Sequence, residues 1–138
     1  MDLKPLICAG LISSSYTAEA VEQRVVIDND IVGILEMPQG QTKGPVVLIL
    51  HGFMGDKNDV AIANTNEGVL ERAASTLAQH GIASLRIDFR GAGESGGEFK
   101  HTTFTGLIKD ANASLDWLRH NSIYKADDLG VLGWSKVD

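Results

Sequence analysis

Between Pro45 and His51 the chain carries five consecutive aliphatic residues, VVLIL, covering positions 46–50. A strand with one wetted face alternates apolar and polar residues. An unbroken, β-branched run too short for a helix predicts a strand covered on both faces, as in parallel sheets sandwiched by helices. Its surroundings fit that frame. VEQRVVID and IVGILEM flank the turn-prone Asn29-Asp30 and predict a hairpin. PQGQTKGP is a Pro/Gly loop, and a long polar loop follows the apolar run. Val69, Leu70, Ala73, Ala74, Leu77 and Ala78 share one helical stripe that Gly81 closes. IASLRIDF is the next strand. Phe104, Leu107, Ile108, Ala111, Leu115 and Leu118 predict a second helix with Thr102 or Thr103 as its N-cap, and LGVLGW a last short strand. The order β-β-β-α-β-α-β predicts an α/β fold with a mainly parallel sheet over residues 21–138.

The loop GAGESG places Gly91, Gly93 and Gly96 in a G-x-G-x-x-G pattern after a strand. A dinucleotide site needs a helix opening inside that motif and an acidic residue ending the next strand. Here the helix starts well after the glycines, and Asp110, the residue at nearly the right spacing, falls within the helical stripe. The context argues against a nucleotide.

Gly133-Trp134-Ser135 follows the last strand directly. In a nucleophile elbow, G-x-S-x-G, a serine sits on a sharp strand-to-helix turn whose flanking glycines avoid Cβ collisions. The first half of that pattern is present; Val137 stands where the second glycine belongs. A serine nucleophile also needs two backbone N–H groups to bind the oxyanion, one just after it and one in the loop after an earlier strand. VVLILHGFMG has the form of that second element, with His51 in a structural role and the N–H of Phe53 at the sheet's carboxyl edge.

LILHGF, RIDFRGAGESGG and LGVLGWS, in this order and each on a strand end, resemble the successive landmarks of the α/β-hydrolase fold. Asp88 to Ser95 matches the D-x-R-G-x-G-x-S loop that follows that fold's fourth strand, and HGF with MGDKND is similar to bacterial feruloyl/cinnamoyl esterases and the serine aminopeptidase-like and acylglycerol lipase group. The resemblance covers Val21 to Ser135. It implies Ser135 as the nucleophile of a carboxylic-ester hydrolase working through an acyl-enzyme. It also implies the N–H groups of Phe53 and Lys136 as the oxyanion hole, a small-molecule ester as substrate, and no metal or organic cofactor. In the family the triad runs Ser, then Asp or Glu, then His. Only Lys136, Val137 and Asp138 follow Ser135 here. The expectation is therefore the N-terminal half of the fold, cut at the elbow, without triad acid or base and inactive, with Lys136-Val137-Asp138 a candidate junction. The alternative is a non-catalytic half-fold that binds a partner or self-associates through the bare edge of its last strand.

The net charge of -6 argues against a nucleic-acid partner, whose binding is driven by neutralising phosphates with Lys and Arg. The single Cys8 excludes an intrachain disulfide, and the four histidines show no HxH or HxxxH spacing for a metal. No apolar run approaches the roughly 20 residues of a membrane span. Residues 1–20 carry Lys4, a short apolar stretch and Ala18-Glu19-Ala20, the outline of a signal peptide; a frayed extension fits them equally, and the compartment stays open between cytoplasm and export.

Overall fold

A computed structural model describes residues 19–135. The segment read as signal peptide or extension lies outside these residues except for Glu19 and Ala20. Strands β1 (Val21–Ile27) and β2 (Ile31–Met37) are joined across Asp28-Asn29-Asp30. Asp28 and Asn29 take φ of 47° and 76°, the left-handed region that a tight hairpin requires and that these two residue types tolerate. Then follow β3 (Lys43–Leu50), α1 (Val69–Gln79), β4 (Ala83–Ile87), a single 3₁₀ turn (Phe99–His101), α2 (Phe104–His120) and β5 (Lys125–Gly133).

The strand order is β1-β2-β4-β3-β5. β3, β4 and β5 are parallel, whereas the hairpin joins β4 antiparallel through β2, so the sheet as a whole is mixed. β3 is the strand wrapped on both sides. Val46 and Leu48 face the α2 side with Ile27, Leu35, Leu85, Ile87 and Leu118. Val47 and Ile49 face α1, where Leu70 and Ala74 complete a second cluster. The unbroken apolar run follows from this double cover, and truncating Leu48 would cost about 2–5 kcal/mol. The β3–β5 register shifts between Gly44 and Pro45, where proline has no N–H to give the ladder.

α2 differs from its sequence reading. Phe104 and Ile108 are 86% and 61% exposed. The inward face instead carries Asp110, Ser114 and Leu118, with Leu107 alongside. Asp110 is drawn inward because it binds Arg90, and the Ser114 hydroxyl donates to the Asp110 carbonyl at 2.8 Å. Two polar residues occupy positions that an apolar count leaves blank, which turns the helix away from the expected stripe. Thr103 is the N-cap, accepting from the Gly106 N–H at 3.0 Å. β5 begins four residues before LGVLGW and forms an edge of the described sheet, with Val131 57% exposed.

Candidate functional site

The parallel strands β3, β4 and β5 direct their carboxyl ends to one rim, and three loops meet there. β3 runs into His51-Gly52-Phe53-Met54-Gly55. The Trp134 N–H donates to the Leu50 carbonyl at 3.0 Å, which carries β5 alongside the start of this loop. A methyl carbon at Gly52 would lie 3.0 Å from the Trp134 carbonyl oxygen and 3.3 Å from the Ser135 Cα. Glycine is therefore what lets the loop lie against Ser135. Gly55 N–H closes the turn onto the Gly52 carbonyl at 3.0 Å, with Met54 in a left-handed conformation of φ 68°. Among the described residues, the N–H groups of Phe53 and Met54 and the Ser135 hydroxyl find no hydrogen-bond partner, while the Phe53 and Met54 side chains are 73% and 78% exposed. Non-glycine residues at positive φ beside unpaired N–H groups are a costly arrangement that binding sites tend to hold.

His51 is buried beneath this loop. Its Nε2 accepts the Phe89 N–H at 3.1 Å, so the neutral ring carries its proton on Nδ1, which donates to the Gly52 carbonyl at 2.8 Å. The ring also packs edge-on against Phe89, centroids 4.9 Å apart. Nε2 thus fastens the end of β3 to the end of β4, while Nδ1 holds the turn of its own loop. His80 and His120 donate to carbonyls one turn back at the ends of α1 and α2, and His101 is exposed in the 3₁₀ turn. No histidine among the described residues hydrogen-bonds Ser135.

The glycine-rich loop after β4 is organised around carboxylates. Asp88, fully buried, accepts the Lys57 N–H at 2.7 Å, the Glu94 N–H at 2.8 Å and the Lys57 ammonium at 2.8 Å. Lys57 reaches Glu94 as well, at 2.7 Å. Burial alone would lower the Lys57 pKa, yet the hydrogen bonds to Asp88 and Glu94 carry it above its ordinary value, and the same contact from Lys57 lowers that of Glu94. Ser95 donates to the Asp88 carbonyl at 2.6 Å and accepts the Val32 N–H at 2.8 Å, tying the loop to β2. Arg90 spans Asp30, Asp28 and Asp110 and is held charged chiefly by Asp30. Gly93, at φ 47°, lies where a Cβ would collide with the Asp88 carboxylate. Gly93 and Gly96 make room for the carboxylates of Asp88 and Asp30, Gly91 lies against the Glu98 backbone, and Asp110 is engaged with Arg90 on a helix, so the residues of a dinucleotide fingerprint serve other ends.

Of the residues singled out from sequence, Ser135 and Phe53 come to one rim on adjoining loops; Lys136 lies outside the described residues. Sequence reasoning missed Lys57, the partner of Asp88, and nothing in the run GDKND distinguishes it from a solvated loop lysine. No group of three or more metal-ligating side chains occurs among the described residues, and no described helix is long and apolar enough to cross a membrane.

Comparison with known proteins places this geometry in context. Residues 27–136 match the model of the X-Pro dipeptidyl-peptidase (S15 family). An uncharacterized protein of Rickettsia prowazekii is 33% identical over 108 residues, covering 71% of this chain and 42% of that protein. An uncharacterized 31.7 kDa protein of the traX-finO intergenic region of Escherichia coli is 26% identical over 99 residues, covering 72% of this chain and 32% of that one. Est1E from Butyrivibrio proteoclasticus, solved with ferulic acid bound, superposes with a TM-score of 0.68 at 26% identity, over 82% of this chain and 42% of Est1E. The Pyrococcus furiosus esterase Pf2001 superposes with a TM-score of 0.60 at 24% identity, over 86% of this chain and 43% of that one. The chain thus spans less than half the length of these relatives.

Proposed function

Because the chain belongs to the X-Pro dipeptidyl-peptidase (S15) family, and its described residues form part of an α/β-hydrolase fold, we propose that it carries the nucleophile and oxyanion side of a serine hydrolase acting on carboxylic esters. Ser135 Oγ attacks the ester carbonyl carbon. The carbonyl oxygen, now an oxyanion, is met by the N–H groups of Phe53 and Lys136. The alcohol leaves, and water releases the acid from the acyl-serine. The observation that supports this most is the unpaired Phe53 N–H on a loop that touches Ser135 through Gly52. The likeness to Est1E, solved with ferulic acid, favours an ester over a peptide bond.

The attack requires a base to take the serine proton, and the described residues bring none to Ser135. The 138 residues by themselves are accordingly proposed to be inactive, with the family's acid and histidine to be supplied from outside them. Imidazole in solution can stand in for the missing base. Incubated with p-nitrophenyl acetate, the chain should show no acylated Ser135 by peptide mass mapping. With imidazole added, acyl-Ser135 should accumulate, and Ser135→Ala should abolish it. Acylation without imidazole would refute the missing base; no acylation with imidazole would refute Ser135 as nucleophile.

A second reading, self-association through β5, has one observation in its favour: the edge strand exposes Val131 and an unpaired row of backbone groups.

A further inference from the structure

β1 ends the sheet on the side opposite β5, and among the described residues nothing pairs with its outer edge. Which of its residues turn their backbone outward follows from the ladder. The Val32 carbonyl accepts the Asp88 N–H at 2.9 Å and the Val32 N–H donates to Ser95 Oγ at 2.8 Å, so Val32 spends both groups on the β4 side. Backbone groups alternate between the two edges of a strand, so Ile31, Gly33, Leu35 and Met37 turn theirs to β1, toward Ile27, Val25, Gln23 and Val21. The N–H and C=O groups of Glu22, Arg24 and Val26 are left pointing outward. Edge strands are ordinarily blunted by proline, a bulge or outlying charges. Val21–Ile27 has neither proline nor bulge, and its two charges are of opposite sign.

Those two charges make the edge complementary to itself. Glu22 and Arg24 stand on the α1 side of the sheet with side chains 55% and 54% exposed. Neither has a close counter-charge of its own. Glu22 lies beside Glu36 across the hairpin, and Arg86 is held by Glu36 at 2.8 Å and stays 3.6 Å from Glu22. Arg24 reaches Glu94 only at 3.5 Å. A second β1, laid antiparallel about a two-fold axis at Gln23, puts Glu22 of each copy opposite Arg24 of the other. The outward backbone groups meet in both of those pairs. On the α2 side the same register sets Val21, 45% exposed, against Val25 of the other copy. Sliding by two residues opposes Glu22 to Glu22 or Arg24 to Arg24. Sliding by one sets an outward backbone against an inward one and exchanges the faces. We propose that β1 is a homodimerisation edge, at which two copies pair antiparallel across Gln23 and join their sheets through reciprocal Glu22–Arg24 pairs. The proposal stands on this strand alone and is independent of the readings of Ser135 and β5.

Sedimentation equilibrium of the full chain should fit a monomer–dimer equilibrium. Glu22→Arg sets arginine against Arg24 in both pairs and should weaken association about tenfold or more, and Arg24→Glu should do the same with glutamates. Mixed in equal amounts, the two variants place arginines on one copy against glutamates on the other, and association should return to the parent level. Circular dichroism reports whether each variant is folded. Gln23→Cys lies at the non-hydrogen-bonded pair on the axis, where Cβ atoms approach closely. In a Cys8→Ser background it should form a covalent dimer under mild oxidation, and Glu22→Cys should do so far less. Val131→Lys, on the opposite edge, should leave the dimer intact. A monomeric parent, unchanged association in both charge variants, or no recovery on mixing would overturn the proposal. If a charge variant unfolds, cross-linking decides, and equal yields from positions 22 and 23 would overturn it. Association abolished by Val131→Lys would overturn it too, in favour of β5.

Discussion

Replacing Asp88 by asparagine puts the organisation of the rim to a quantitative test. The carboxylate is wholly buried and takes three donors: the N–H of Lys57, the N–H of Glu94 and the Lys57 ammonium. Asparagine fits the same space with one acceptor oxygen and one NH₂. If its oxygen faces the Lys57 N–H, the NH₂ points at both the Glu94 N–H and the ammonium. If it is flipped, the NH₂ opposes the Lys57 N–H instead. Either way a buried backbone donor loses its acceptor and the ammonium loses its buried counter-charge. One hydrogen bond to a charged group contributes about 1.5–3 kcal/mol, and removing one partner of a buried pair costs about 3–5 kcal/mol. Glu94 still reaches Lys57 but is half exposed, which places the expected loss near the lower bound, at about 3 kcal/mol.

Urea unfolding followed by far-UV circular dichroism should show that loss as a lower midpoint at unchanged slope. Lys57→Met, which leaves Asp88 its two backbone donors, should cost about 1–2 kcal/mol. The double variant should cost less than the sum by about 1–2 kcal/mol, because the ammonium that opposes the new NH₂ has gone. An Asp88→Asn variant within about 0.5 kcal/mol of the parent, or strict additivity in the cycle, would refute the account of Asp88 as the common anchor of both loops.

Stability should fall on the alkaline side. Burial raises the Tyr124 pKa above its ordinary 10.0, and the contacts to Asp88 and Glu94 raise that of Lys57 above 10.5. Groups with raised native pKa values stabilise fully below the unfolded value and lose that contribution as pH climbs through the native one. Urea midpoints should therefore decline above about pH 10, less steeply in Tyr124→Phe and in Lys57→Met; a flat profile to pH 11 would contradict the shifts. If β5 pairs with a second copy, sedimentation should show association that grows with concentration, and Val131→Lys on the exposed edge should reduce it; identical monomeric profiles for both would remove the self-association reading.

What was legible in the sequence, and what was not, follows from the range of the interactions. Val46 to Leu50 announced a doubly covered strand because its neighbours in the sheet and both helices impose apolarity at every position. The hairpin and the Thr103 cap were legible because a turn or a cap is decided within a few residues. Asp110 and Ser114 facing inward were not, since the reason lies in Arg90 across the loop. Lys57 with Asp88, 31 residues apart, and Glu36 with Arg86, 50 apart, leave no periodic trace; Asp88 stands out only as the first residue of a motif, and Lys57, Glu36 and Arg86 each look in sequence like an ordinary surface charge. At the rim, the HGF and GWS motifs located Phe53 and Ser135 individually. That the two loops touch is set by the β3–β5 pairing, which no local pattern encodes.

That pairing makes Gly52 the residue on which the proposed chemistry turns. The backbone of the Phe53 loop and the backbone of Trp134-Ser135 are separated only by the absence of a side chain. A methyl group at Gly52 would press on the Trp134 carbonyl oxygen at 3.0 Å and the Ser135 Cα at 3.3 Å. Both are backbone atoms, so neither can swing aside as a side-chain end would, and the two loops must part by a few tenths of an ångström. Overpacking of this kind costs about 1–3 kcal/mol, which the core clusters on either side of the sheet should withstand. Chemistry is less tolerant, because a misplacement of about 1 Å can lower a rate by roughly 10²-fold. Gly52→Ala should therefore remain folded by circular dichroism while imidazole-rescued acylation of Ser135 slows about tenfold or more. Undiminished acylation in a folded Gly52→Ala chain would mean that the contact between these loops does not set the position of the nucleophile, and Phe53 would lose its claim to the oxyanion.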